Sequence, residues 1–90
     1  MEKKKERTLV EKTADRIIEY ITDNNMQPGE RLTSEHVITD MLGVGRGTLR
    51  EAIKTLMSHN ILDVRQGDGN FVSYKNGITE EQIRLAIDNS

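Results

Sequence analysis

Apolar residues recur in this chain at the three- and four-residue spacing of helices that bury one face. The first such helix is predicted to begin at Thr8, because Thr8 and Glu11 have the spacing of a capping box. Its apolar face consists of Val10, Ala14, Ile17, Ile18 and Ile21. Asn24 and Asn25 suit a helix end, since asparagine tolerates the left-handed conformation. Pro28-Gly29 then predicts a turn.

Two further helices are predicted on either side of a glycine turn. The second helix is capped by Thr33 or Ser34 and ends at Gly43, where a left-handed residue would stop it. Its inward-facing residues are predicted to be Val37, Ile38, Met41 and Leu42. The third helix is predicted from about Arg46 to His59. Its apolar face has helical spacing and comprises Leu49, Ala52, Ile53, Leu56 and Met57.

The segment after the third helix has the pattern of a β-hairpin. One strand is predicted from apolar residues in 61–64, and its return partner from residues 71–74. Asp68-Gly69 between them predicts a tight turn. Arg31-Leu32 is expected to add a short edge strand.

The predicted fold is mainly α with a small β-hairpin: a winged helix-turn-helix with a three-helix core, a wing and an extra C-terminal helix. Residues 1–7 are predicted to be a flexible charged arm, and residues 8–75 the winged helix-turn-helix. Residues 76–90 are predicted to form a linker helix, capped from Thr79. We expect that helix to lead into a missing effector domain, so that the chain is a fragment of a longer protein.

Composition restricts the class of protein further. Ninety residues make one small domain, and the absence of cysteine excludes disulfides and thiolate metal sites. No apolar run approaches the ~20 residues that span a bilayer. No apolar segment of signal-peptide type follows the charged N-terminus, so we expect a cytoplasmic protein with no membrane partner.

The net charge of −2 at first argues against a nucleic-acid partner. The distribution of charge is more informative than its sum. Between Arg46 and Lys54 there are three cations and one anion, whereas acidic residues gather in residues 11–23 and 80–88. A locally basic surface on a mildly acidic body is compatible with DNA binding and predicts weak nonspecific binding.

The third helix has side chains suited to duplex DNA. Arg46, Arg50 and Lys54 are four residues apart and stack along one side. An arginine fork can donate two hydrogen bonds to guanine O6 and N7. Gly47 allows close approach of the backbone, the Thr48 hydroxyl could reach a phosphate, and free N–H groups at the helix start add anion affinity. Three spaced cations taken alone also fit an ordinary solvated helix face.

Other chemistry finds no support in the sequence. Gly43-x-Gly45 resembles the start of a dinucleotide fingerprint, but Thr48 occupies the third glycine position and the motif follows a helix. His36 and His59 are not spaced as a pair of metal ligands, and no serine lies in a nucleophile-elbow context. We therefore expect no enzyme activity, no cofactor and no metal site.

These segments together resemble the GntR family of bacterial transcription regulators, over roughly residues 9–73. The resemblance rests on Pro28-Gly29-Glu30-Arg31-Leu32, Ser34-Glu35, Leu42-Gly43-Val44, Arg46, Leu49-Arg50-Glu51-Ala52, Leu56, Ile61-Leu62 and Gln66-Gly67-x-Gly69-x-Phe71-Val72. The runs over residues 49–53 and 64–67 look most like the FadR subfamily.

The resemblance implies a domain that binds double-stranded operator DNA as a homodimer. It also implies repressor-like control by a small-molecule effector, through a C-terminal domain absent from this chain. Arg46 and Arg50 would contact bases or phosphates, Thr48 a phosphate, and Gly67 the minor groove. The candidate DNA-binding residues are Ser34, His36, Arg46, Gly47, Thr48, Arg50, Lys54, Arg65, Gln66 and Gly67.

Three residues depart from the family pattern. His36 replaces an arginine that commonly contacts DNA, and Gly45 replaces the serine or threonine that usually precedes Arg46. Asp68 stands in the wing where a basic residue is common, and its charge would repel phosphates. The alternative that remains open is a winged-helix protein-interaction module that does not bind DNA.

Overall fold

The computed structural model describes residues 8–73. The elements are α1 (Leu9–Asp23), α2 (Glu35–Leu42), α3 (Arg46–Ser58), β1 (Leu62–Arg65) and β2 (Gly69–Val72). The predicted three-helix core and antiparallel hairpin are therefore confirmed. The arm predicted over residues 1–7 and the linker helix predicted over residues 76–90 lie outside the described residues.

A capping box fixes the start of α1. The Thr8 N–H donates to Glu11 Oε1 at 2.9 Å, and the Glu11 N–H donates to Thr8 Oγ1 at 3.1 Å. Each bond satisfies an N–H group that the helical ladder leaves unpaired. Just beyond the other end of α1, Asn25 has a φ of +53°, the left-handed conformation expected there.

One apolar core joins α1, α3 and the sheet. The contribution of α3 comes from side chains that are at most 4% exposed, namely Leu49, Ala52, Ile53 and Leu56. The other buried apolar residues are Ala14, Ile17, Ile18, Ile21, Leu32, Ile38, Ile61, Leu62 and Val72. Burial of this apolar area is the main force that holds α3 in place. Because the apolar side of the helix faces the core, its charged residues lie on the solvent side.

The core contact of α2 is narrower than the sequence pattern predicts. Ile38 is 2% exposed, but Val37 and Met41 are 40% and 44% exposed, so the expectation that both face inward is wrong. The helix has eight residues, and Ile38 and Leu42, one turn apart, fill its contact with the core. Met57, at the edge of the buried face of α3, is also exposed, at 41%.

The turn between α2 and α3 depends on Gly43. This residue has a φ of +67°, and its N–H donates to the Thr39 carbonyl at 2.8 Å. The left-handed conformation ends α2 as predicted and redirects the chain toward α3. Gly45 follows in an extended conformation and forms the N-cap of α3.

The wing closes through a longer turn than the predicted one at Asp68-Gly69. Arg65 pairs with Gly69 across the strands, which leaves residues 66–68 as the loop. The Asp68 N–H donates to the Arg65 carbonyl at 2.9 Å, and Gly67 has a φ of +85°. Gly67 therefore supplies the positive φ that the turn needs, and Gly69, with a φ of +118°, already belongs to β2.

The predicted edge strand is reduced to a single bridge beside the two-stranded sheet. Arg31 forms an isolated antiparallel bridge to Phe71. The Leu32 N–H donates to the Asn70 carbonyl, and the Val72 N–H donates to the Glu30 carbonyl, both at 2.8 Å. We call residues 30–32 the edge segment. Because it leads directly into α2, the wing is bonded to the chain that enters the helix-turn-helix.

Gly43 and Gly47, on either side of the N-cap of α3, should respond to alanine in opposite ways. Gly43→Ala should lower the free energy of unfolding by about 1–2 kcal/mol, because a Cβ is strained at positive φ. Space around Gly43 is open, so the cost is conformational. Gly47→Ala, in the helix and also in open space, should raise stability by about 0.5 kcal/mol. Urea unfolding measures both, and equal effects would contradict the assigned turn.

Candidate nucleic-acid interface

The arginines of α3 are exposed and free to bind a ligand. Arg46 is the first residue of the helix, and Arg50 follows one turn later on the same side. Within residues 8–73, neither guanidinium forms a hydrogen bond or an ion pair with a protein group. Their donors are therefore available in the fork geometry that recognises guanine or phosphate.

The N-terminus of α3 lacks a side-chain cap. Its N-cap residue is Gly45, which has no oxygen to offer, whereas Ser34 Oγ accepts from the Val37 N–H of α2 at 3.3 Å. The first-turn N–H groups of α3 are therefore left for an external acceptor, at the positive end of the helix dipole. Gly47 leaves open space beside them, and Thr48 is half-buried in the same turn.

Two of the candidate DNA-binding residues, Lys54 and His36, lie close to carboxylates of their own helices. Lys54 Nζ lies 3.4 Å from Glu51 Oε2, and His36 Nε2 lies 3.7 Å from Asp40 Oδ2. The second contact is an ion pair only when the imidazole is protonated. All four side chains are well exposed, so these contacts are weak and a phosphate could replace them.

A cleft of about 210 Å³ separates α3 from the wing. Its lining consists of Glu35, Arg50, Ile53, Lys54, Met57, Val64 and Asn70. The cleft thus brings two of the predicted cations, Arg50 and Lys54, to the side of α3 that faces the hairpin. The third cation of the row, Arg46, lies outside this lining.

Asn70 joins the wing to α2. Its side chain is 4% exposed, and its Nδ2 donates to Glu35 Oε2 at 3.4 Å. Its Oδ1 has no hydrogen-bond partner within residues 8–73. Asn70 was not among the residues predicted from the sequence. Strand alternation could have found it, because Asn70 stands two residues before the buried Val72 and hence on the inward face of β2.

The wing presents the remaining candidates at its turn. Gln66 and Gly67 are exposed there, with Asp68 beside them. Arg65, at the end of β1, holds its guanidinium carbon 4.4 Å from the centroid of the Phe71 ring. Stacking of this kind orients the arginine without using its hydrogen-bond donors.

A helix-turn-helix whose second helix starts with free arginines, followed by a hairpin wing, defines a winged-helix DNA-binding domain. Residues 9–72 match the family described as bacterial regulatory proteins, gntR family. The chain therefore belongs to the GntR family, as the motifs predicted. The members to which it is similar are transcriptional regulators and not enzymes.

Two relatives illustrate the similarity in sequence. The mannosyl-D-glycerate transport/metabolism system repressor MngR of Escherichia coli is 36% identical over 79 residues, which are 88% of this chain and 30% of MngR. The HTH-type transcriptional regulator Mce2R of Mycobacterium tuberculosis is 39% identical over 62 residues, which are 69% of this chain and 26% of Mce2R. The chain thus spans less than a third of the length of these curated relatives.

Solved structures show the same fold. A Streptococcus agalactiae GntR superposes with a TM-score of 0.72 at 40% identity, covering 86% of this chain and 38% of that one. The AraR DNA-binding domain in complex with operator ORX1 superposes with a TM-score of 0.69 at 28% identity, covering 76% and 82%. In the part of this chain that is described, no helix is long and apolar enough to cross a membrane.

The contact between Asn70 and Glu35 can be tested by replacing the amide that donates the hydrogen bond with a carboxylate. Asn70→Asp should lower the free energy of unfolding by about 1–3 kcal/mol, because it buries a carboxylate against another without a donor. The loss should shrink in acid, where the introduced carboxylate takes up a proton. The control is the double variant Glu35→Gln/Asn70→Asp, which restores an amide–carboxylate pair. Urea unfolding that shows equal losses in both variants would contradict this contact.

Proposed function

We propose that this domain binds operator DNA sequence-specifically, with α3 in the major groove and the wing turn at the adjacent minor groove. The observation that carries the proposal is the pair of exposed, unpaired arginines, Arg46 and Arg50, at an uncapped helix start. Both features attract phosphate, and the arginine forks can also distinguish guanine from other bases.

Each candidate residue has a role in this arrangement. Arg46 and Arg50 would read base edges from the N-terminal half of α3, which enters the groove first in helix-turn-helix proteins. The backbone-contacting residues would be Ser34, His36, Gly47, Thr48 and Lys54. The wing would contribute Arg65, Gln66 and Gly67, with the small Gly67 allowing close approach to the minor groove. Phosphate contacts would set the register, and base contacts the specificity.

The protein from which this domain comes would act in the bacterial cytoplasm as a repressor-like homodimer. MngR is named a repressor, and both curated relatives are more than three times the length of the aligned segment. The additional length would provide an effector-binding domain, whose small molecule alters DNA affinity. A dimer of this kind would select a palindromic operator, which DNA selection from a random pool would reveal through its half-site spacing.

The rival function is a protein-interaction module, and the exposed apolar side chains of Val37 and Met41 favour it. Salt dependence separates the two functions. Phosphate contacts release counterions, so affinity for duplex DNA should fall steeply as salt increases. Affinity for duplex DNA that is absent at low salt would favour the interaction module.

Arg50→Ala should cost about 1–3 kcal/mol of binding to the selected operator if Arg50 donates to a guanine. Binding to a random duplex should change much less, so the ratio of the two affinities falls. Lys12→Ala is a matched control, since it removes one exposed positive charge from α1. Titration monitored by fluorescence anisotropy measures all three proteins. An unchanged affinity ratio in Arg50→Ala would show that Arg50 does not read a base.

Asp68→Lys should tighten DNA binding, because it replaces an anion in the wing turn by a cation near the proposed phosphates. Asp68→Asn separates the two effects, since it removes the negative charge without adding a positive one. Its affinity should lie between those of the wild type and Asp68→Lys. Anisotropy titrations over a salt series provide the measurement. If all three proteins bind DNA equally at every salt concentration, the wing turn lies away from the DNA backbone.

A further inference from the structure

The outer face of the wing holds two crossed arginines. Arg31, in the edge segment, is paired with Phe71, and Arg65 is paired with Gly69. Each side chain reaches the residue diagonal to its own partner. Arg65 lies over the Phe71 ring, and Arg31 lies over Gly69, with its Nε 2.9 Å and its Nη2 3.4 Å from where a Cβ of residue 69 would be.

The backbone conformation explains why residue 69 is glycine, and Arg31 fills the space that a side chain would take. The φ of +118° at Gly69 is strained for any residue with a side chain. In addition, a side chain at this position would occupy the space of the Arg31 guanidinium. The guanidinium therefore rests on bare backbone, close to the end of the wing turn.

Both guanidinium groups keep their hydrogen-bond donors available. Among groups in residues 8–73, neither the Arg31 nor the Arg65 guanidinium has a hydrogen-bond or ion-pair partner, and that of Arg65 stacks on the ring of Phe71. Arginine stacked in this way loses less side-chain entropy when its planar fork meets an anion. The positive electrostatic potential at this face is modest, because Asp63 shares the face and Asp68 follows in the turn. The pair should therefore act through direct contact and little through long-range attraction.

We propose that Arg31 and Arg65 form a phosphate clamp on the DNA backbone beside the minor groove that the wing turn approaches. This inference rests on the proposed function. It adds the edge segment, which precedes the helix-turn-helix, to the helix-turn-helix and the wing as a third part of the domain that contacts DNA. The two arginines lie beside the turn instead of at its tip, so they contact phosphates and contribute no base specificity.

The decisive variant is Arg31→Met, which keeps an unbranched stem over Gly69 and removes the charge. The 90-residue chain is titrated with two duplexes, the operator selected from a random pool and a random-sequence duplex, over a salt series. Arg31→Met should weaken binding to both by the same factor, about three- to tenfold, and reduce the slope of log K against log salt by about 0.9. Arg31→Lys should retain most of the slope, because it retains the charge.

Controls separate failure of the clamp from failure of the proposed function. Lys12→Ala removes one positive charge from α1 and should leave the slope within error of the wild type. A slope for Arg31→Met equal to that of the wild type would overturn the clamp, whereas a wild-type chain that binds neither duplex would overturn the proposed function. A larger loss on the operator than on the random duplex would also overturn the clamp, since it would make Arg31 a base reader. Thermal unfolding by circular dichroism verifies that each variant is folded.

Discussion

Burial of one face of α3 is the constraint on which the rest of the structure depends. Leu49, Ala52 and Leu56 are fully buried and Ile53 nearly so, and together they determine how α3 is rotated about its axis. That rotation decides which residues of α3 face solvent, and it leaves Arg46 and Arg50 outside the core. An apolar face that is narrow and continuous therefore serves recognition as well as stability, because it holds the cationic side of the helix in one orientation.

The wing is held by a different kind of interaction. Backbone hydrogen bonds join β2 to β1 on one side and to the edge segment on the other, while Asn70 contacts Glu35 at the start of α2. Hydrogen bonds are directional, so these contacts fix the register of the wing more sharply than apolar packing alone would. The turn, Arg65 and Arg31 are thereby placed at set positions relative to the helix-turn-helix.

Local chemistry explains how much of this could be predicted from the sequence. The capping box at Thr8, the left-handed Gly43 and the buried face of α3 apart from Met57 are consequences of neighbouring residues, and all were predictable. Val37 and Met41 were not, because which flank of a short helix is covered depends on the size of the contact surface opposite. The Asn70–Glu35 contact spans 35 residues and has no local signature. The roles of the candidate DNA-binding residues remain predictions, since they depend on a ligand.

The uncapped start of α3 shows how stability and binding are in competition. A serine or threonine in place of Gly45 would accept a hydrogen bond from the first turn and stabilise the helix by a few tenths of a kcal/mol. The same bond would occupy one of the N–H donors that can bind phosphate, although a hydroxyl could itself donate to that phosphate. With glycine at the N-cap, no side-chain cap occupies these donors within the described part of the chain. In the proposed complex a DNA phosphate would complete the cap, so part of the stability of the helix start would be gained only on binding.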